Sequence, residues 1–235
     1  MTDGVGAGTE ITGLTGPTLA MLRARCRSFL ASVAVWPDGT LDAWLGDAIR
    51  FYSNEFPRLI RHTLTLATGT QSYNVPADCL AVLTVEYPAG EHPPRLVGRV
   101  AEDAPLFQAG GAVYAVRGVG ADETHGSAVL LAEVVTLGET AIVSYYGQHA
   151  LPLGDADSTS VPDAHTEALL AFVDFRAHWV LETDEAVTLS TVSIILSQLG
   201  QEARLAWRRY KEVVDRLQGL AVAPSGRAVW RSIGL

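Results

Sequence analysis

The sequence has few of the features that mark a membrane protein or a secreted protein. Its 235 residues include two cysteines, Cys26 and Cys79, too few for a disulfide framework and expected to be small core residues in a reducing compartment. No apolar run reaches the roughly 18 residues of a membrane span. The glycine-rich N-terminus lacks the basic and apolar regions of a signal peptide, so residues 1–16 are predicted to form a flexible arm.

Lysine is almost absent, and positive charge is concentrated near the C-terminus. The 17 basic residues include a single lysine, and the formal net charge of −9 disfavours a general nucleic-acid binder. Residues 201–235 have seven basic and three acidic groups, whereas the other 200 residues have ten basic and 23 acidic groups. This asymmetry predicts an oriented contact with an acidic partner, with a solvated helix face as the alternative for Arg204, Arg208 and Lys211.

Apolar residues at helical spacing predict two helices within residues 17–60. Pro17 opens the first helix, and the breaker Pro37-Asp38-Gly39 separates it from the second. Thr40 is the predicted N-cap of the second helix, which ends before Pro57. Because the turn between them is short, the two helices are predicted to pack as a hairpin.

A second helical block covers residues 162–219 and completes the predicted helical core. Pro162 and Asp163 mark the start of its first helix, and Gly219 is the predicted end of a long last helix. The apolar residues of the last helix follow a heptad repeat, which predicts packing on the preceding helix and, in a ring, on a neighbouring subunit. This repeat comprises Val192, Leu196, Leu199, Ala203, Ala206, Tyr210, Val213 and Leu217.

Between the helical blocks, at residues 61–148, the apolar residues recur with a period of two. This pattern predicts an inserted, acidic β-rich domain. Candidate strands cover residues 62–67, 71–75, 80–88, 94–99, 112–117, 127–135 and 139–147. Turn signals at this spacing favour an antiparallel meander or a small sandwich over βαβ units. The predicted fold is therefore α+β, a helical bundle of two N-terminal and two C-terminal helices with a β-rich insertion.

The motifs that could carry chemistry do not assemble into a catalytic site. Asp155-Ala-Asp157-Ser-Thr159 matches the pattern of aspartate-nucleophile phosphatases, but Pro152 and Gly154 precede it where a buried parallel strand is needed. The same loop lacks the glycine and the glutamate of a calcium-binding loop. The six histidines have no metal-ligand spacing. The sequence therefore predicts a protein that is not an enzyme and binds no cofactor or metal.

Two stretches give the sequence a resemblance to a known family. The first, Leu41-Asp-Ala-Trp44-Leu-Gly-Asp47-Ala48-Ile49, lies on the predicted helix pair together with Trp36. The second, Thr63-Leu-Thr-Leu-Ala-Thr-Gly-Thr-Gln-Ser-Tyr73-Asn-Val-Pro76-Ala-Asp78, combines short alternating runs with a Gly-Thr turn. In this order, over roughly residues 17–220, they resemble the head-to-tail adaptor (connector) proteins of tailed bacteriophages.

The resemblance implies a structural neck protein with several partners. It implies a homo-oligomeric ring, twelve-fold in that family, that binds the portal protein above and a tail or stopper/nozzle protein below. It also implies that DNA passes through the lumen without specific binding, and that the protein contacts no membrane. The implied location is the head-tail junction of the virion, after assembly in the bacterial host cytoplasm. An acidic body suits such a channel because negative charge repels DNA phosphates.

The C-terminal segment of that family typically grips the portal. The resemblance therefore implies that residues 220–235 are a docking tail that becomes ordered on the portal. The candidate portal-binding residues are Arg216, Arg227, Trp230, Arg231 and Ile233, since Trp and Arg dominate interface energetics.

The alternative function is a binding module whose β-rich domain takes a carbohydrate or a peptide, with the helices as scaffold. Exposed aromatic rings can stack on sugars. Trp36 and Trp44 are expected in the core because they lie around a helix hairpin, whereas Tyr145 and Tyr146 fit either function.

Overall fold

The chain folds into two compact units, each built from separate parts of the sequence. The computed structural model describes residues 9–10, 16–30, 36–118, 128–132, 138–188 and 193–221. One unit, here the β unit, comprises Met1–Gly13 and Phe56–His149. The other, here the helical unit, comprises Leu14–Glu55 and Ala150–Leu235. The prediction of an α+β chain is confirmed.

The helical unit contains two helices from each end of the chain. They are α1 (Leu19–Phe29), α2 (Asp38–Glu55), α4 (Thr166–Thr188) and α5 (Ser193–Ala221), with a single 3-10 turn at Asp163–His165 before α4. The chain enters the β unit after α2 and returns to the helical unit before α4. Helix α4 therefore packs on α1 and α2, which precede it by more than 100 residues.

Two predicted helix ends are wrong. The second helix begins at Asp38 rather than after Thr40, because the carbonyl of Pro37 accepts the backbone N–H groups of both Thr40 and Leu41 at 3.1 Å. The last helix continues past Gly219 to Ala221. A glycine ends a helix when it adopts a positive φ, and Gly219 is not among the glycines with that conformation.

Helix α4 is in contact with α1, α2 and α5. Its buried face comprises Ala168, Leu169, Ala171, Phe172, Val173 and Ala177. The predicted apolar repeat of the last helix is confirmed where its side chains are described, since Ala203, Ala206, Tyr210, Val213 and Leu217 are all buried. The side chains of Val192, Leu196 and Leu199 lie outside the described residues.

A loop at residues 150–161 holds the first turn of α1. The first backbone N–H groups of a helix have no acceptor within the helix. Here Leu19 donates to the carbonyl of Asp157 at 3.0 Å, and Ala20 donates to that of Asp155 at 3.2 Å. Gly16 donates to the Thr159 carbonyl at 2.8 Å. The loop therefore replaces the missing acceptors and fixes the start of α1.

The described residues of the β unit form one curled sheet and one short helix. The strands are β1 (Thr9–Glu10), β2 (Arg58–Thr65), β3 (Ser72–Asn74), β4 (Cys79–Glu86), β5 (Leu96–Arg99), β6 (Val113–Arg117), β7 (Ala128–Leu131) and β8 (Thr140–Gly147), and the helix is α3 (Pro105–Gln108). The strand order is β1-β2-β8-β4-β5-β6-β7-β3. Each of the seven predicted strands corresponds to one of β2–β8.

The sheet is mixed, and several neighbouring strands, such as β2 and β8, are not consecutive in the chain, so the prediction of an antiparallel meander or small sandwich is wrong. Gly98 and Arg99 of β5 pair in parallel with Val113 and Tyr114 of β6. Parallel neighbours need a crossover connection, and residues 100–112 supply one that contains α3. The sequence does not reveal this crossover because α3 is a single turn, too short for a helical period.

The short connection between β2 and β3 requires the sheet to curl. These two strands are consecutive in the chain but six strand spacings apart in the sheet, or roughly 29 Å if the sheet were flat. The chain from Thr65 to Ser72 spans at most about 25 Å. Curling brings side chains from β2 to β8 into one interior, which includes Leu64, Tyr73, Val85, Val97, Tyr114, Val129, Val143 and Tyr145.

Part of the predicted flexible arm at residues 1–16 pairs with the sheet. Thr9 lies opposite Arg61 and Glu10 opposite Ile60, in antiparallel register with β2. Residues 1–8 and 11–15 lie outside the described part of the chain. None of the described helices is long and apolar enough to cross a membrane.

Replacement of Gly16 by alanine is expected to destabilise the helical unit. A Cβ atom at this position would overlap the carbonyl oxygen of Val161 and lie 2.8 Å from that of Thr159. Both atoms belong to the backbone that caps α1, so the loop must shift. We expect Gly16→Ala to lower the free energy of unfolding by about 1–3 kcal/mol, measured by equilibrium urea unfolding.

Gly39→Ala is the matched control. Gly39 lies in the first turn of α2, and its added Cβ would meet nothing within 4 Å. Because alanine loses less backbone entropy than glycine in a helix, the free energy of unfolding of this variant is expected to rise by about 0.5–1 kcal/mol. A Gly16→Ala variant as stable as the wild type would show that the loop does not hold α1 rigidly.

Candidate functional site

The helical unit has an open groove lined by aromatic rings. The groove lies between α2, α4 and α5 and has a volume of about 620 Å³. Its walls comprise Phe51, Phe172, Phe175, Arg176, Trp179, Ala203, Arg204 and Trp207, hereafter the aromatic groove. Helix α4 supplies four of these residues within eight positions, because residues three and four apart project from the same helix face.

The rings of the aromatic groove pack on one another in a continuous series. Phe172 is central, with its ring centroid 4.9 Å from that of Phe51 and 6.1 Å from that of Phe175. Phe175 in turn lies 5.1 Å from Trp207 and 6.1 Å from Trp179. Phe51 and Trp179 nevertheless each expose 48% of their surface. Large apolar side chains this exposed and this close together are typical of a protein-docking surface.

The edge of the aromatic groove is basic. Lys211 lies 5.5 Å from the centroid of the Trp207 ring and 3.7 Å from a carboxylate oxygen of Glu55. Arg176 lies 3.6 Å from Asp47. Arg204 and Arg208 are exposed, and neither has an ion-pair partner within the described part of the chain. The groove therefore combines an apolar floor with cations that can accept a negatively charged partner.

A buried carboxylate lies behind this surface. Asp174 is 7% exposed, and one of its oxygens is 3.4 Å from Arg209 while the other is 3.4 Å from His178. Burial raises the pKa of Asp174, and the attraction of His178 and Arg209 only partly opposes that rise. The ion pair with Asp174 gives exposed Arg209 a partner on α4, whereas Arg204 and Arg208 have no ion-pair partner within the described residues.

The predicted portal-binding residues are mostly beyond the described residues. Arg227, Trp230, Arg231 and Ile233 lie there, so their role stays a prediction. Arg216 is on α5, where it forms an ion pair with Glu167 of α4. Both side chains are more than half exposed, so this pair does not prevent Arg216 from meeting a partner.

The other candidates from the sequence have structural roles. Trp44 is buried, which confirms its core placement, and half-buried Trp36 packs on it with the ring centroids 4.8 Å apart. Asp155 binds Arg23 at 2.6 Å, and that arginine also forks onto Asp42. Asp157 accepts the backbone N–H groups of Leu153 and Gly154. The Asp-x-Asp-x-Thr stretch therefore organises a loop next to α1.

Sequence reasoning missed the aromatic groove. Phe175 and Trp179 are four residues apart, so α4 carries an aromatic stripe beside its core stripe, and Trp207 lies four residues after Ala203 on α5. That spacing is a signal available in the sequence. The sequence gives no signal for the approach of Phe51 from α2, because this contact depends on how α2 packs on α4.

A partly buried pair of a histidine and a tyrosine has a structural role. Among the described residues, the Tyr52 hydroxyl hydrogen-bonds to Nδ1 of His165. Burial lowers the pKa of His165 and raises that of Tyr52 above its ordinary value. A tyrosine that holds its proton more tightly is a poorer nucleophile. This pair therefore joins α2 to the turn before α4.

No metal site is present within the described residues, where no three His, Cys, Asp or Glu side chains are placed to hold an ion. Cys26 and Cys79 are both buried and free. Burial raises the pKa of the Cys26 thiol to about 12 and that of Cys79 to about 11, so both are unreactive thiols near neutral pH.

The sequence as a whole matches a family of structural proteins. A family model described as SU10 adaptor protein matches residues 17–224. The chain therefore belongs to the SU10 adaptor protein family, which is a phage head-tail adaptor family, and the predicted resemblance is confirmed. The family is structural rather than enzymatic, and its members are virion components. No curated protein matches the chain by sequence.

The partial burial of His165 makes the stability of the fold depend on pH. Because the folded-state pKa is lowered, the unfolded chain binds a proton more readily than the folded chain as pH falls. The stability associated with neutral His165 is complete above its ordinary pKa of 6.5 and is lost as pH falls below that value. We expect His165→Gln to reduce the loss of stability between pH 7 and pH 5, measured as the shift of the urea midpoint.

His92→Gln provides the comparison, since His92 is exposed. It replaces an exposed histidine and is expected to leave the pH dependence of stability unchanged. Equal effects of the two substitutions would mean that burial of His165 does not control the acid sensitivity.

Proposed function

We propose that this protein forms a ring, dodecameric as the family resemblance implies, that joins the phage portal to a tail or stopper/nozzle protein and lets DNA pass. The observation that carries the proposal is the match to a phage adaptor family over residues 17–224, which spans most of both units. The adaptor first docks on the portal in the host cytoplasm, and the next neck protein then docks on the adaptor.

The charge of both units supports a channel through which DNA slides. The β unit has five basic and eleven acidic residues, and the helical unit has twelve basic and fifteen acidic residues. A lumen lined by surfaces with net negative charge repels phosphate groups, so the genome passes without being held. DNA is therefore cargo in transit, and no sequence-specific nucleic-acid contact is part of the function.

The proposed contact with the portal uses the C-terminal segment. Arg216 near the end of α5 is half exposed, and it is followed by Arg227, Trp230, Arg231 and Ile233 in sequence. An aromatic anchor surrounded by arginines is the composition that most often dominates a protein interface. Arginine guanidinium groups also fork onto carboxylates, which suits an acidic portal surface.

The proposal is tested by mixing the purified protein with portal-bearing heads that lack the adaptor. Electron microscopy of the head vertex is expected to show an added ring with the symmetry of the portal. Heads that remain bare at saturating protein would overturn the proposed function.

Free protein is expected to be a monomer or a small oligomer, with the ring forming on the portal. Twelve copies would bring together roughly −108 of formal charge, which opposes self-association in solution. Light scattering coupled to gel filtration at low salt measures the mass. A stable twelve-subunit species of pure protein in low salt would contradict this expectation.

Truncation after Ala221 is expected to abolish attachment to portal-bearing heads while sparing the fold. The last buried residue described on α5 is Leu217, so the cut removes no described part of the core. We expect the melting temperature to change by no more than a few degrees, measured by differential scanning calorimetry, and sedimentation with heads to be lost.

The double variant Trp230→Ala with Arg231→Ala tests the same contact at two residues. Arg117→Ala is the control, because Arg117 is an exposed arginine of the β unit. If the truncated protein unfolds, the segment packs on its own subunit. If it still attaches to heads, the portal contact lies elsewhere on the chain.

A further inference from the structure

The aromatic groove calls for an occupant with an apolar tip and negative charge. Phe51 and Trp179 expose nearly half of their surface on its walls, and a cavity of about 620 Å³ has room for several large side chains. Arg204 lies within the groove and Arg208 lies one turn farther along α5, both without ion-pair partners in the described chain. A basic occupant would be repelled by these cations, and a purely polar one would leave the rings exposed to water.

The helical unit itself has a protrusion with the complementary chemistry. Leu153, in the loop at residues 150–161, is 91% exposed, the highest value among the large exposed hydrophobic residues described. Asp155 and Asp157 follow it, and both are exposed. This segment, residues 152–157, is hereafter the Leu153 knob. It is an apolar tip with two carboxylates beside it.

The Leu153 knob is held in shape rather than free to collapse. The Asp157 carboxylate accepts the backbone N–H groups of Gly154 at 2.8 Å and Leu153 at 3.2 Å. Asp155 binds Arg23 of α1 at 2.6 Å, with its other oxygen unengaged by that bond. Because the loop is already fixed, its insertion into a partner costs little ordering entropy, which favours its use as an anchor.

The knob and the groove belong to different faces of the helical unit. The knob is bonded to the first turn of α1, whereas the groove lies between α2, α4 and α5. With 91% of its surface exposed, Leu153 does not fill the groove of its own subunit. A contact between two different faces of identical subunits is heterologous, and a heterologous contact generates a ring when its rotation closes.

We propose that the Leu153 knob of one copy docks in the aromatic groove of a second copy, with Leu153 against the rings and Asp155 and Asp157 facing Arg204 and Arg208. The inference rests on the proposed ring and names its subunit-to-subunit contact. The contact is small, so it forms where the portal concentrates copies or at high protein concentration, in agreement with a monomeric free protein.

Site-specific cross-linking of the full-length chain tests this contact. Cysteines are placed without removing Leu153, the two aspartates or a residue that lines the groove, as Ala156→Cys within the knob and Gln201→Cys one turn before Arg204. Both positions are exposed, and the native Cys26 and Cys79 are buried and unreactive. A short bismaleimide is applied to the double-cysteine protein on portal-bearing heads and, separately, to concentrated free protein.

The expected product is a ladder of dimer, trimer and higher species, because each copy offers one knob and one groove. An equal mixture of the two single-cysteine proteins is expected to stop at the dimer. In the double-cysteine background, Leu153→Ser and Trp179→Ser are each expected to reduce the cross-linked yield about tenfold, as for truncation of an interface anchor. Leu96→Ser, at an exposed leucine of the β unit, is expected to have no effect.

The outcomes separate this contact from the proposed function. Rings on portals without a cross-linked ladder would overturn the knob-and-groove contact and leave the adaptor function intact. A dimer without higher species would show a two-fold contact and also overturn it. Loss of portal attachment in Trp179→Ser without any ladder in the parent protein would assign the groove to a portal segment. Bare heads together with a ladder in concentrated free protein would support the contact and refute the portal function.

Discussion

The packing of α4 is the interaction on which the helical unit depends. Helices α1 and α2 precede the β unit in the chain and α5 follows α4, yet α4 is in contact with all three. Its buried residues Leu169, Phe172 and Val173 therefore connect segments that are more than 100 residues apart. The entropy of closing so long a loop grows only slowly with its length, so a large β insertion is compatible with a stable helical unit.

The same helix places the candidate site. Phe172 is almost fully buried but touches the half-exposed ring of Phe51, and Phe175 connects it to Trp179 and Trp207. The aromatic groove is thus an outward continuation of the core rather than a separate patch. Rings held by the core are rigid, and rigid anchors lose little entropy when a partner binds. This explains how a surface with exposed tryptophan remains ordered.

The distribution of charge over the surface of this protein matters as much as its net charge. The net charge of −9 suits a channel component, but α5 presents arginines outward beside an apolar surface. Buried Asp174 pairs with Arg209 and His178, whereas Arg204 and Arg208 have no ion-pair partner within the described residues and can meet a binding partner. An acidic protein that carries one basic, aromatic surface can bind an acidic partner, including another copy of itself, at one defined place.

Much of this protein follows from the sequence alone. Periodicity predicted four helices with a long last one, a β-rich insertion with a strand near each of β2–β8, and the buried repeat at Ala203, Ala206 and Tyr210, because burial of one face imposes a regular spacing on the residues. The low number of cysteines predicted that both are unpaired. Motif order also predicted the family. The tertiary structure decided the parallel pairing of β5 and β6, the curl of the sheet, the loop that caps α1 and the convergence of Phe51 with Trp179 and Trp207. Each of these depends on contacts between segments far apart in the chain, and local spacing carries no information about which distant segment will pack against a given face.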